Sequence, residues 1–217
     1  MNNETKRTYF EILPKAELHL HLEGAIPYDA LWRLVQKYGG DASVSSREML
    51  KRRFEYRDFP HFIETWAWKN QFLREYEDFT FIAKAVAQDL ASQNIRYAEV
   101  FYSPPDFLRH GLKTQRITEA IRRGLEPVRA IQVALVADLV RDFGAERAAV
   151  TLAEVSEVKQ LGVVGVGIGG SEQEFPPEAF AEVFVQARQL GFRTSGHAGE
   201  AAGPKSVWGA IRDLKVD

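Results

Sequence analysis

Residues 17–25 read Glu17-Leu18-His19-Leu20-His21-Leu22-Glu23-Gly24-Ala25, and an alternation this strict has the period of a β-strand. Successive side chains on a strand point to opposite faces, so His19 and His21 share one face and Leu18, Leu20 and Leu22 the other. Two imidazoles spaced about 6–7 Å along one strand face can grip a single divalent ion. The leucines are expected to bury beneath a layer of helices. Gly24 allows a sharp turn after the strand, and Pro27 stands just ahead of the next helix. An isolated His-x-His also fits a strand cap beside a solvated neighbour. A second stretch far downstream, His197-Ala198-Gly199-Glu200, favours the metal.

Composition narrows the chemistry. The chain has no cysteine, so disulfides and thiolate ligands are excluded and any metal must be held by His and carboxylates. With Lys+Arg 28 against Asp+Glu 30, the net charge is −2, which makes no electrostatic case for nucleic acid or an acidic membrane. The first seven residues are polar and lack the apolar core of a signal peptide. The best apolar run, 131–140, is broken by Asp138 and is too short to span a bilayer. A cytoplasmic protein with one domain over residues 1–217 is the expectation, since 217 residues support a single large core.

Along the chain, Leu31, Leu34, Val35 and Tyr38 recur at helical spacing, and Gly39-Gly40 closes that helix. Residues 41–70 show no clean period but carry Phe54, Tyr56, Phe59, Phe62, Trp66 and Trp68. Phe79, Ile82, Ala83, Val86 and Leu90 mark an amphipathic helix. Strands are expected at 95–102, 131–138, 163–170 and 192–197, separated by a helix with Ile117, Ile121 and Leu125 on one face and by helices at about 145–160 and 177–190. A last helix opens at Gly203-Pro204, and residues 215–217 look like the start of a further strand. Strand and helix alternate five times, which implies a parallel sheet covered by helices. Doubly wound sheets and (β/α)8 barrels both fit. Histidines split between the first and fifth strands favour the barrel, whose closure gathers distant strand ends.

Taken with Arg96-Tyr97-Ala98-Glu99-Val100, Ser103-Pro104, Asp58-Phe59-x-x-Phe62 and Gly169-Gly170-Ser171-Glu172, the two histidine motifs resemble the adenosine deaminase family of zinc hydrolases. The resemblance runs from about residue 13 to 217. It implies a (β/α)8 TIM barrel of the metal-dependent hydrolase type, of which about the first five β/α units are present. It further implies one Zn2+ ligated by His19, His21 and His197, with Glu200 protonating a ring nitrogen of a 6-aminopurine. The Gly170 backbone N–H would hold another ring nitrogen, Glu23 would meet the sugar, and Phe59 and Phe62 would form a lid. The chemistry is consistent, because zinc lowers the pKa of bound water from about 15.7 to about 7 and a buried carboxylic acid is a suited proton donor.

The family pattern also needs a further His and an acidic ligand on later strands, and this chain has neither. Besides the three ligand candidates, its histidines are His61 and His110, read as structural or surface groups. An incomplete barrel is therefore expected, with self-association or a complementing segment supplying the missing strands. The leading expectation is hydrolytic deamination of adenosine. Adenine and 5′-modified adenosines such as aminodeoxyfutalosine stay open, because Glu23 stands where adenosine-acting members often carry Asp. A non-catalytic, purine-binding barrel and a zinc hydrolase acting on a non-purine amide are the alternatives. Gly165-Val166-Gly167-Ile168-Gly169-Gly170 has G-x-G-x-x-G spacing, but residues 171–175 separate it from any helix, which argues against a dinucleotide fingerprint.

Overall fold

The computed structural model describes residues 9–217. Strand β1 (Lys15–His21) is followed by helices α1 (Tyr28–Lys37), α2 (Arg47–Arg53), α3 (Phe59–Asn70) and α4 (Tyr76–Ser92). Then come β2 (Ile95–Tyr102), α5 (Thr114–Leu125), β3 (Gln132–Asp138), α6 (Gly144–Ser156), β4 (Val163–Gly167), α7 (Ala181–Gln189), β5 (Arg193–Thr194) and α8 (Pro204–Gly209). The strands lie in the order β1-β2-β3-β4-β5 in one sheet, and the β3–β4 and β4–β5 pairs are parallel. A doubly wound sheet reverses its strand order at a switch point. Strictly sequential order with helical crossovers is instead that of a (β/α) barrel, and the described residues supply its first five units.

The chain divides into two compact units, one of residues up to 99 with 120–133 and the other of 100–119 with 134–217. In the first, α1 buries Ala30, Leu31, Leu34 and Val35, and α4 buries Phe79, Ile82, Ala83, Val86, Ala87 and Leu90, as the helical spacing predicts. Gly39 and Gly40 have φ of 89° and 82°. Their N–H groups cap the carbonyls of Gln36 and Val35 at 3.1 and 2.9 Å, closing α1 in a Schellman motif. The aromatic stretch resolves into α3. Asp58 caps its N-terminus by accepting from the His61 N–H at 2.8 Å, with Pro60 in the first turn.

In the second unit, hydrogen bonding runs past the ends of the strands. Leu139 and Arg141 donate to Gly167 and Gly169 at 2.9 Å, and Ser195 and His197 donate to Val166 and Ile168 at 3.0 and 2.9 Å. The segments just beyond β3, β4 and β5 are thereby held in register. α6 buries Ala148, Thr151, Leu152 and Val155, and α7 buries Val183, Phe184 and Ala187.

Three expectations need correction. Leu22 is buried, but Leu20 is only half-buried and Leu18 is 61% exposed. Among the described residues β1 has one strand neighbour, β2, and its leucine face is covered fully only at its C-terminal end. The strand expected over 192–197 is reduced to Arg193–Thr194, where the Asp217 carboxylate takes the Thr194 N–H at 2.7 Å, although Ser195 and His197 still bond to the β4 segment. Residues 215–217 form no strand, although the Asp217 N–H donates to the Thr194 carbonyl at 3.0 Å.

Close packing in the first unit depends on one glycine. A Cβ on Gly124 would stand 2.3 Å from the Thr80 carbonyl oxygen and 2.9 Å from the Ala83 Cβ, so α5 and α4 touch backbone to backbone there. Gly124→Ala should cost about 1–3 kcal/mol by overpacking. The expected result is a lower urea midpoint with an unchanged m-value.

Candidate functional site

The first unit holds the histidine pair. His19 and His21 turn their Nε2 atoms to within 3.3 Å of each other, with ring centroids 5.3 Å apart. Two nitrogens bound tetrahedrally to one zinc at about 2.0–2.1 Å are separated by about 3.3–3.4 Å. The two imidazoles therefore already have the spacing of adjacent ligands. A row of rings extends from His21 along α3. The His21 ring meets Trp66 edge-on at 5.8 Å, Trp66 lies 6.2 Å from Phe62, and Phe62 lies 5.9 Å from Phe59. The i, i+4 and i, i+3 spacings that put these rings on one helix face also leave Phe62 half-buried and Phe59 45% exposed.

Glu23 is fully buried. Beside it is a buried cation that sequence reasoning did not single out. Lys69 donates to the Glu23 carbonyl at 2.6 Å, and its ammonium sits 3.6 Å above the Trp66 ring. A cation lodged over an aromatic face inside the protein is stabilised by the ring quadrupole, by up to about 2 kcal/mol when desolvated. Of the remaining histidines, His61 Nδ1 accepts from the Arg57 N–H at 3.3 Å near the start of α3, and His110 is contacted by Arg109 at 3.2 Å.

The second unit holds His197, Glu200, Gly170 and the groups that fix them. His197 Nδ1 lies 3.0 Å from a Glu200 carboxylate oxygen. Arg141 is wholly buried, donating to the Phe175 carbonyl at 2.9 Å and to the His197 carbonyl at 2.6 Å. Burial pushes its pKa down, while the carboxylates of Glu172, Asp138, Asp142 and Glu200 oppose that change. A guanidinium remains charged even so. Asp138, at the end of β3, accepts from the Val140 N–H at 3.0 Å and from the Gly169 N–H at 2.9 Å. Val140 has a φ of 49°, a costly conformation for a β-branched residue, and strain of this kind clusters at functional sites.

Gly170 has a φ of 106°, and a Cβ there would stand 1.8 Å from an Asp142 carboxylate oxygen. Asp142 is placed by Ser171, whose N–H donates to it at 2.8 Å and whose hydroxyl also binds it. Glu172 is 4% exposed. Its carboxylate accepts N–H groups from Gly199, from Ala201 at 2.7 Å and from Ala202 at 3.2 Å. Burial alone would raise its pKa. The Ser206 hydroxyl and the three backbone N–H groups more than reverse that, bringing it down to about 2. Of these groups, sequence reasoning noted Glu172 only as part of a motif and assigned Arg141 and Asp142 no part.

Comparison with known proteins places this geometry. The adenosine deaminase family profile matches residues 14–217. Adenine deaminase of Ectopseudomonas mendocina is 30% identical over 212 residues, covering 96% of this chain and 67% of that protein. Aminodeoxyfutalosine deaminase of Streptomyces avermitilis is 32% identical over 210 residues, covering 94% of this chain and 59% of that protein. Among solved structures, a zinc-bound amidohydrolase from Burkholderia ambifaria superposes with a TM-score of 0.89 at 28% identity. That alignment covers 100% of this chain and 61% of the other. The fold is thus that of the (β/α)8 hydrolase barrels. The chain belongs to the adenosine deaminase family. It spans about two thirds of the length of the curated relatives it matches.

The Glu172 carboxylate links this site to acid stability. Its folded pKa of about 2 lies below the ordinary value of 4.5, so the carboxylate stabilises the fold fully above pH 4.5. That contribution, on the order of 3 kcal/mol, is lost as pH falls towards 2. Denaturation midpoints of Glu172→Gln should therefore change less between pH 5 and pH 2 than those of the parent chain.

Proposed function

We propose that the chain carries the site of a zinc-dependent aminohydrolase that replaces the 6-amino group of a purine with oxygen and releases ammonia. The observation that carries this reading is the 3.3 Å approach of the His19 and His21 Nε2 atoms, a spacing suited to one tetrahedral ion. By the family resemblance His19, His21 and His197 would each give one ring nitrogen, a donor set that suits zinc in a chain without thiolates. Zinc, when bound, supplies hydroxide at neutral pH.

The remaining work falls to this chain's own groups. Glu200 holds a proton and delivers it to the ring nitrogen where negative charge builds. The Gly170 N–H donates to a second ring nitrogen from a turn whose positive φ suits glycine and whose Cβ side is filled by Asp142. Arg141 fixes the His197 backbone through its carbonyl, and Nδ1 of the same imidazole lies 3.0 Å from Glu200, which keeps the proton donor beside the proposed ligand. Phe59 and Phe62 cover the substrate and exclude water.

Adenine is the favoured substrate. Glu23 is longer than the Asp of adenosine-acting members and lies fully buried beside Lys69, which suits a pocket closed beyond the base. Relatives named adenine deaminase support the same choice. A 5′-modified adenosine is the second reading, favoured by likeness to the Streptomyces avermitilis aminodeoxyfutalosine deaminase.

Zinc per chain and turnover on a purine panel test the proposal together. His19→Ala and His197→Ala should each lower zinc affinity by about 100-fold or more, and Glu200→Gln should keep zinc but reduce kcat by about 100- to 10,000-fold. Zinc retention without turnover of adenine, adenosine or aminodeoxyfutalosine would point instead to a purine-binding protein or to a non-purine amide as substrate.

A further inference from the structure

We propose that Glu172 is a positioning residue, a buried carboxylate that sets the loop carrying the proton donor Glu200. The inference rests on the deaminase reading for its catalytic consequence, but its structural basis is independent. Glu172 lies five residues beyond the end of β4, whereas its partners follow β5. Its two oxygens gather the N–H groups of Gly199, Ala201 and Ala202. Those residues flank Glu200 on both sides. The neighbouring side chain completes the grip, since Gln173 Nε2 donates to the Ala201 carbonyl at 2.8 Å.

Three amides can converge on one carboxylate only because the chain turns through Gly199, whose φ is 86°. A Cβ there would stand 2.6 Å from a Val207 methyl, so the turn is also packed against α8. Burying a carboxylate is costly unless hydrogen bonds to the charged form compensate. Here that compensation comes from the backbone of the loop. With residues 199 and 201 both tethered, the Glu200 backbone is fixed, and from it the side chain meets His197 at 3.0 Å. Errors of about 1 Å in such placement cost up to about 100-fold in rate.

The test compares Glu172→Gln and Glu172→Asp with the parent chain by amide hydrogen exchange, zinc content and steady-state kinetics. A carboxamide keeps one accepting oxygen but turns N–H groups towards the loop donors. Exchange at residues 199, 201 and 202 in Glu172→Gln should accelerate by about 10- to 100-fold. The amides of Ser195 and His197, bonded to β4 and its extension, should be unchanged. Zinc per chain should be unaltered, and kcat should fall by about 10- to 100-fold with KM within about threefold. Glu172→Asp, which retains the charge, should recover part of both the protection and kcat.

Unchanged exchange at the three amides would overturn the proposal. So would faster exchange with normal kcat, or zinc loss in step with kcat, which would place the effect on the metal. If Glu172→Gln does not fold, Glu172→Asp carries the same comparison at smaller amplitude. A parent chain that turns over no purine would defeat the deaminase reading, and the exchange data would still decide whether Glu172 sets the loop.

Discussion

One buried positive charge organises the catalytic end of the second unit. Arg141 is closed off from water and spends its guanidinium on two backbone carbonyls, those of Phe175 and His197. Taking a cation out of water costs several kcal/mol, and four carboxylates offset that cost, from Glu172, Asp138, Asp142 and Glu200. Each of those acids has separate work. Asp138 joins the end of β3 to the segment after β4, Asp142 holds Ser171, Glu172 holds the loop after β5, and Glu200 meets His197. The field of one arginine thus lets several acids sit close together without mutual repulsion dominating. Removing that charge would leave like charges facing one another at the ends of three strands.

The first unit uses a different device. Its histidine pair needs no ion pair to set its spacing, because the strand period puts both rings on one face and the Trp66 ring edge supports His21. Behind them, Lys69 joins α3 to the turn after β1 through the Glu23 carbonyl. The placement of the histidines here comes from backbone period and aromatic packing, whereas the polar groups of the second unit are placed by electrostatics.

These two devices explain what could be read in the residue order. The sharing of a face by His19 and His21 was legible because a period of two is a local property. The helix that carries Phe59, Phe62 and Trp66 was less so, because residues 41–70 show no clean period. The exposure of Leu18 was not legible, since alternation says which residues point together and nothing about what covers them. Glu172 looks like any loop acid until its partners, 27 to 30 residues onward, are brought to it. Arg141 gave no local sign either. Its burial follows from strand ends meeting, and the ladder bonds that bring them together lie beyond the strands themselves. The fold class was readable from alternation, with sequential strand order deciding between two candidates. The polar scaffold behind the site depended on tertiary contacts.

Gly170 and Asp142 show how such a scaffold restricts sequence drift. The oxygen of Asp142 occupies the space that any side chain at 170 would need, and the same carboxylate binds Ser171. A larger residue at 170 is blocked while Asp142 is present. Losing Asp142 first releases the turn, and the positive φ at 170 still disfavours a side chain. Neither order of exchange offers an easy first step, so the two positions form an epistatic pair. A bare peptide N–H beside the site is in this sense protected by steric history as well as by chemistry.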